Sequence, residues 1–238
     1  MVRSQASFEL RLASRNGEQL LLMLVIPLLV LLLLTKVETV DIGTHSRIDF
    51  ATPGVLALCV LSTAFTSLAI ATGFERRYGA LKRLGATPLP RAGLLAGKAA
   101  AVLVIEAAQF LLLGAIAAGL GWSPHGSWFW AAALVILATV AFVSLGLLMA
   151  GTLRAEATLA GANLLFLVLL LGSGMSFPLD RLPDGVANVA RGLPSTALTD
   201  GLRAVLQDGQ AVPRRCWIVL LLWAAAGVAA AARWFRWE

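Results

Sequence analysis

Long apolar runs, separated by short polar segments, make up most of the chain. A membrane-spanning helix needs roughly 17–25 predominantly apolar residues, and six stretches meet or approach that length. They lie at about 18–35, 53–73, 95–120, 127–150, 157–175 and 215–234. The first contains Pro27, which we expect either to kink it or to be accommodated by neighbouring helices, and its uninterrupted apolar run is short for a full crossing. The pattern predicts an all-α integral membrane fold with six transmembrane helices, in a single domain over 1–238.

A mostly polar stretch precedes the first run. Residues 1–17 carry Phe8 and Leu12 among basic side chains. Apolar residues on one face of a helix and basic residues on the other are typical of a helix lying in the membrane interface. We therefore expect a short interfacial helix over 1–17, with a mobile tail as the alternative.

A second mostly polar stretch, 176–210, separates the fifth and sixth runs. Its apolar residues recur at helical spacing, first from Leu182 to Leu193 and then from Leu198 to Val205, with Gly192 and Pro194 between the two sets. This pattern predicts two short amphipathic helices, arranged as a hairpin at the membrane surface or dipping into it. A plain interfacial linker is the alternative.

Composition agrees with the apolar pattern. Of the 238 residues, 59% are hydrophobic and 13% are charged, whereas an ordinary soluble domain has about 25% charged residues. Lipid must therefore cover much of the apolar surface. Cys59 and Cys216 form no CxxC pair, and His45 and His125 have no neighbouring ligand residues. Neither a disulfide framework nor a metal site is expected.

The distribution of charge predicts an orientation. If the N-terminus is cytoplasmic, twelve of the 19 Lys and Arg residues fall on the cytoplasmic side and seven on the other. Because cytoplasmic loops carry an excess of Lys and Arg, this predicts that both termini are cytoplasmic. The same bias accounts for the net charge of +6, so we expect no nucleic-acid partner.

The segment "FERRYGALKRLGATPLPR", residues 74–91, is unusually charged for a link between two spans. At 100° per residue Phe74, Tyr78 and Leu81 fall on one stripe. Pro88 and Pro90 then end the helix. The spacing predicts a short amphipathic helix over 74–88, on the cytoplasmic side and parallel to the membrane. A solvated basic loop is the alternative, although such a loop needs neither the stripe nor the prolines.

Glu106 is the only carboxylate well inside a predicted span, and the amides Gln109 and Asn163 lie inside the third and fifth spans. A charge near the bilayer centre costs on the order of 2.5–3.5 kcal/mol, so Glu106 should face protein or water. One interpretation is a polar patch along a substrate pathway. The other is hydrogen bonding between helices, with Lys98 or Arg154 as further partners for Glu106. The sequence leaves both open.

The charged segment carries a recognisable motif. It consists of Glu75, Arg76, Arg77, Gly79, Leu81, Leu84, Thr87 and Pro88. Together with the six predicted spans and the long segment before the last span, this motif resembles the permeases of ABC type-2 exporters. Lys82 is a departure, because many relatives carry an acidic or polar residue there, which leaves the partner contacts open.

The resemblance implies that the helix over 74–88 is a coupling helix that sits in a groove of a separate ATP-hydrolysing subunit. The implied contact residues are Phe74, Glu75, Arg76, Arg77, Tyr78, Gly79, Leu81, Leu84 and Pro88. The outer helical pair would form a gate, which includes Phe177, Pro178, Leu182 and Pro194. Two ABC ATPase subunits would bind ATP and Mg, with no cofactor in this chain. A second permease copy, identical or related, would complete the pathway.

The expected function is therefore the membrane subunit of an ATP-driven exporter. The Leu-, Ala- and Arg-rich composition favours a GC-rich bacterium, and hence its cytoplasmic membrane. A modest span-lined path without a large charged groove favours a drug-like or lipidic substrate.

Two other classes fit the apolar pattern less well. A membrane transferase needs clustered catalytic groups at one membrane face, and the sequence shows none. A secondary transporter usually has inverted repeats and broken helices, and neither is visible. The stretch from Gly93 to Ala99 has three residues between its glycines and no Lys-Ser/Thr pair, so it is not a phosphate-binding loop. We expect a permease subunit and not an enzyme.

Overall fold

The computed structural model describes residues 17–36, 46–85, 91–175 and 183–235, and these residues form helices joined by short turns. The helices are α1 Gly17–Lys36, α2 Arg47–Arg77, α3 Ala80–Gly85, α4 Arg91–Gly119, α5 Trp128–Thr152, α6 Ala155–Gly172, α7 Asp184–Ala190, α8 Pro194–Leu206 and α9 Arg214–Trp234. The described part of the chain contains no strand, which agrees with the predicted all-α membrane fold.

Each of the six predicted apolar stretches lies within or largely overlaps a helix. Five helices (α2, α4, α5, α6 and α9) are long and apolar enough to cross a membrane. The first predicted stretch lies in α1, a 20-residue helix with Pro27 in its interior. The interfacial helix predicted over 1–17 lies, apart from its last residue, outside the described residues.

Helix α2 is the centre of the bundle. It packs against α1, α4, α5, α6 and α8, and 72% of its apolar window is buried, against 17% for α6. It begins at Arg47, several residues before the predicted span, and continues to Arg77. At a rise of about 1.5 Å per residue, this helix joins the two ends of the bundle over roughly 45 Å.

One wide turn interrupts the regular winding of α2. Residues Leu61–Ser67 form a π-helical turn between the α-helical parts Arg47–Val60 and Leu68–Arg77. Turns of this kind widen the backbone spiral and often occur at functional positions. Here the turn presents Thr63 to Gln109 of α4.

The last helix, α9, packs mainly along α5. The approach is close at Gly227, where an added Cβ would collide with the Ser144 hydroxyl. Without a driving force from water, helices in lipid associate through such close contacts between small residues.

The described part of the segment between α6 and α9, residues 183–213, contains two short helices, as the sequence predicts, although their surroundings differ. Helix α7 is mostly exposed, whereas almost every residue of α8 is buried. Pro194 is the first residue of α8 and not the end of α7. Proline suits this position because the backbone N–H of the first helical residue has no acceptor within the helix, so no hydrogen bond is lost where proline has no N–H. The three other predicted gate residues, Phe177, Pro178 and Leu182, lie outside the described residues.

Candidate functional site

The charged segment after α2 is divided by a glycine. Helix α2 ends at Arg77, Tyr78 and Gly79 form a turn, and α3 begins at Ala80. Gly79 has a φ of +71°, a left-handed conformation that costs an L-residue roughly 1–2 kcal/mol. The single helix that the sequence predicts over 74–88 is therefore replaced by the end of a span, a turn and a short helix. Residues 86–90, with Pro88, and the side chain of Leu84 lie outside the described parts.

The inner side of this segment is fixed to α4. The Lys98 ammonium donates a hydrogen bond to a Glu75 carboxylate oxygen at 2.8 Å. Lys98 is 1% exposed and Glu75 is 22% exposed. Leu81 of α3 is fully buried in the core. An ion pair between a buried and a half-buried group fixes their relative position, because either group alone would be poorly solvated.

The two arginines at the end of α2 are bound to the next pair of spans. Arg76 donates to the backbone carbonyl of Leu153, just after α5, and Arg77 forms an ion pair with Glu156 at the start of α6. The Arg77–Glu156 pair is largely exposed, so it adds little stability. Both contacts nevertheless connect the segment to the α5–α6 link.

The exposed face of the segment is smaller than the predicted stripe. Tyr78 is 70% exposed and stacks on Phe74, with ring centroids 6.2 Å apart. Leu81 points into the core because the turn at Gly79 redirects α3. Among the side chains of the segment that the structure describes, the face open to a partner therefore consists of Tyr78 with the exposed side chains of Arg77 and Lys82. We call this set the Tyr78 face.

The three polar residues of the predicted pathway do not come together. Gln109 donates to the Met23 carbonyl of α1 at 3.1 Å and accepts from Thr63 of α2 at 3.2 Å. Glu106 accepts from Thr139 of α5 at 2.7 Å. Asn163 is exposed on α6 and donates to the Leu159 carbonyl one turn earlier. Gln109 therefore joins α4 to α1 and α2, and Glu106 joins α4 to α5, whereas Asn163 is exposed on α6.

A charged cluster at the other end of the bundle was not singled out by the sequence. Arg203 of α8 lies over the ring of Phe50 in α2, 3.7 Å from its centroid, and donates to the Met175 carbonyl at 3.2 Å. Asp200 forms an ion pair with Arg215 at the start of α9. The sequence did contain an indication, since Asp200 and Arg203 are the two charged residues of this helix and lie one turn apart.

Burial changes the acid–base behaviour of this cluster. It lowers the pKa of Arg203 to about 10, against the opposing charges of Asp200 and Asp208, so Arg203 is still protonated at neutral pH. Burial also raises the pKa of Asp200, and Arg215 and Arg203 oppose that shift. The cluster joins α8 to α2, to α9 and to the end of α6.

Neither end of the bundle carries a metal centre within the described residues. No group of three or more His, Cys, Asp or Glu residues there is arranged to hold a metal ion. Cys59 and Cys216 are both buried as free thiols.

Two comparisons place the chain among known proteins. The sequence profile of the family described as "ABC-2 type transporter" matches residues 3–206. A protein of Bacillus subtilis (strain 168), named "Putative transport permease YvfS", is 24% identical over 214 residues. That alignment covers 88% of this chain and 86% of the relative. The similarity therefore extends over nearly the whole length of both proteins.

Proposed function

The chain belongs to the ABC-2 type transporter family, and from that premise we propose that it is the permease of an ATP-driven exporter whose ATPase docks on the Tyr78 face. As a member of this family it is a membrane subunit of an ABC transporter and not an enzyme, and it works with an ABC ATPase subunit. The proposal adds the docking surface, the direction of transport and the assembly. Bound ATP and Mg would belong to the partner.

The single observation that carries the proposal is how the Tyr78 face is held. An exposed aromatic ring between basic side chains provides an apolar anchor with flanking charges, a combination common at protein interfaces. Directly behind it, Glu75 bonds Lys98 of α4 and Arg76 bonds the Leu153 carbonyl of the α5–α6 link, while Arg77, on the face itself, pairs with Glu156 at the start of α6. A displacement of Tyr78 by a partner would thus move α2, α4 and the α5–α6 link together.

This arrangement assigns different roles to the predicted contact residues. Tyr78 and Arg77 would touch the ATPase, since their side chains are exposed. Glu75 and Leu81 would act from behind by holding the segment against the bundle, because Leu81 is fully buried and Glu75 faces Lys98. Leu81→Asp would place a charge in the core, so this variant would test folding and not docking.

A matched pair of aromatic residues provides the test. Tyr78 and Phe129 are each 70% exposed, at opposite ends of the bundle. We expect Tyr78→Ala to reduce co-purification of the ATPase subunit and to reduce ATP hydrolysis by the complex in lipid, with the Tm of the isolated permease unchanged. Phe129→Ala should change neither. If Tyr78→Ala retains full association and Phe129→Ala loses it, the proposed docking surface is wrong.

We also propose that two permease copies pair across α1 and α6, with the pathway between them. Both helices pack on α2 and expose apolar faces, with Leu29 and Leu33 on α1 and Leu164 and Leu171 on α6 each more than half exposed. Asn163 adds an amide to the α6 face. An amide that faces lipid is costly, and a second copy or an aqueous path would remove that cost.

Cross-linking tests this pairing because both native cysteines are buried. We expect Asn163→Cys to form a cross-linked dimer with a bifunctional maleimide in the membrane. Leu222→Cys, on the exposed face of α9, is the control and should not cross-link. Cross-linking at position 222 without cross-linking at position 163 would place the second permease copy against α9 and contradict the proposed pairing.

In this assembly α8 would close the pathway on the side opposite the ATPase. Pro194 lies buried at its first turn, and the Arg203 cluster holds it to α2. With the ATPase in the cytoplasm, the Tyr78 face and both termini would be cytoplasmic, in a bacterial inner membrane. The apolar surroundings of the bundle favour a drug-like or lipidic substrate.

A further inference from the structure

A crevice runs between α4 and α5, near the α8 end of the bundle. Its walls are a stripe of α4 (Leu103, Glu106, Ala107 and Phe110) and a stripe of α5 (Trp128, Ala131, Ala132, Val135 and Ile136). Leu56 of α2 and Leu202 and Leu206 of α8 form its floor. The cavity volume is about 310 Å³, at the lower limit of the roughly 300–1,000 Å³ typical of ligand sites.

The crevice opens away from the core of the chain. Ala107 on α4 and Trp128, Ala132 and Ile136 on α5 are exposed, whereas the floor residues Leu202 and Leu206 are buried. A molecule that is dissolved in the membrane can therefore enter between the two helices without passing through the bundle.

One ionisable side chain interrupts this apolar lining. Glu106 is 1% exposed, and its Oε1 atom is buried without a hydrogen-bond partner among the described residues. Its other oxygen, Oε2, lies 2.7 Å from the Thr139 hydroxyl, which is also 2.8 Å from the Val135 carbonyl. A threonine hydroxyl has a single hydrogen and can serve only one of these acceptors at a time. The carboxyl group is thus short of donors.

We propose that this crevice is a binding site for a lipophilic amine, with the apolar body between α4 and α5 and the ammonium group on Glu106 Oε1. An ammonium carries three N–H donors and also offsets the charge of a carboxylate that is removed from water. A neutral alcohol supplies one donor and no charge, and a carboxylic acid would bring a second acid to Glu106. The lining is apolar around the carboxyl group, so the body of the ligand must be apolar as well.

This site is separate from the proposed pathway between two copies, because its walls are α4 and α5 and not α1 and α6. The inference therefore does not require the chain to transport the amine, nor to dock its ATPase on the Tyr78 face. Binding can be measured without ATP hydrolysis, so failure here and failure of the proposed function are distinguishable.

Three small probes with one shared body provide the test: phenylbutylamine, phenylbutanol and phenylbutyrate. Their size suits a cavity with room for about ten water-sized groups. Equilibrium binding of the radiolabelled probes is measured to the full chain in lipid nanodiscs, with empty nanodiscs subtracted to correct for partitioning into lipid. We expect saturable binding of the amine, weaker binding of the alcohol and none of the carboxylate.

Two kinds of variant locate the binding. Glu106→Gln keeps an acceptor for Thr139 and removes the charge, and should weaken amine binding about tenfold to hundredfold, the range for a hydrogen bond to a charged group, with little effect on the alcohol. Ala107→Phe should block both probes by filling the crevice. Its control is Ala108→Phe, at the next exposed position of α4 and outside the lining, which should leave binding intact.

Several results would overturn the proposal. The first is amine binding that is unchanged in Glu106→Gln, which would separate the ligand from the carboxyl group. The second is equal binding of amine, alcohol and carboxylate, which would indicate nonspecific binding of the shared apolar body. The third is equal loss in Ala107→Phe and Ala108→Phe, which would place the site elsewhere on α4. Absence of saturable amine binding to the folded, unmodified chain would refute it directly.

Discussion

Replacing Glu75 by alanine removes the carboxylate that bonds the Lys98 ammonium at 2.8 Å between α2 and α4. Across that distance the gross attraction of two unit charges is about 6 kcal/mol at an effective dielectric constant of about 20. Removing the two ions from water costs several kcal/mol each, so the intact pair adds little net stability. After the substitution the attraction is lost, whereas Lys98, 1% exposed, stays largely removed from water.

The loss of stability expected for Glu75→Ala can be placed within limits. Breaking a fully buried pair costs about 3–5 kcal/mol. Because Glu75 is 22% exposed, we expect a smaller cost, about 2–3 kcal/mol, which corresponds to a fall in Tm of roughly 5–10 °C for a chain of this size. Arg77→Ala is the matched control. Its pair with Glu156 has side chains 51% and 63% exposed, so its loss should cost less than about 1 kcal/mol.

The assay is thermal unfolding of the purified chain in nanodiscs, with the double variant Glu75→Ala/Lys98→Met included. Removing both charges takes away the desolvation cost of the pair together with its attraction, and a methionine fills much of the lysine's volume, so the double variant should recover most of the lost Tm. The reasoning is refuted if Glu75→Ala lowers Tm no more than Arg77→Ala does. It is also refuted if the double variant is less stable than Glu75→Ala alone.

Three further predictions concern the turn at Gly79 and the charged cluster on α8. Arg203→Met should lower the stability by about 2–3 kcal/mol, because the buried Met175 carbonyl loses its donor and the Phe50 ring loses its cation; an unchanged Tm would contradict this. Gly79→Ala should lower the free energy of unfolding by about 1–2 kcal/mol, since φ is +71°. Gly119→Ala, at a helical position where an added Cβ meets no other atom, should be neutral or stabilising. Equal Tm shifts in the two variants would argue against backbone strain at Gly79. Burial raises the pKa of Asp200, so the folded state holds the proton of this carboxyl group more tightly than the unfolded state does. The resulting stabilisation is complete below the unfolded-state pKa of about 4 and is lost as pH rises through the folded-state pKa. Asp200→Asn should flatten that fall of Tm with pH, and an identical pH profile would exclude the mechanism.

The positions of the helices could be predicted from the sequence because lipid imposes a simple condition. Every backbone N–H and C=O in the hydrocarbon must be bonded within its own segment, so each long apolar run has to become a helix. Run length and the prolines and glycines between runs therefore placed the ends of α4, α5, α6 and α9 to within about four residues, whereas α2 begins six residues before its predicted span. The helical spacing after residue 182 likewise indicated α7 and α8.

The sequence was less informative about which side chains face each other. Glu106 and Gln109 are one turn apart on α4, and the sequence left open whether they form one polar patch or bond neighbouring helices. In the structure Gln109 contacts α1 and α2, whereas Glu106 contacts α5 and the crevice. The spacing within one helix gives the angle between two side chains, but the neighbour at each angle depends on how the other helices pack.

The segment after α2 shows the same division. From the residues alone came its charge, its place between two spans and its likeness to a coupling segment. The tertiary structure decided that Gly79 breaks the helix, that Leu81 turns inward and that Glu75 binds Lys98, 23 positions further along the chain. Local rules act through nearest neighbours along the chain, and they cannot specify a contact between groups that only the packing of α2 against α4 brings within 3 Å of each other.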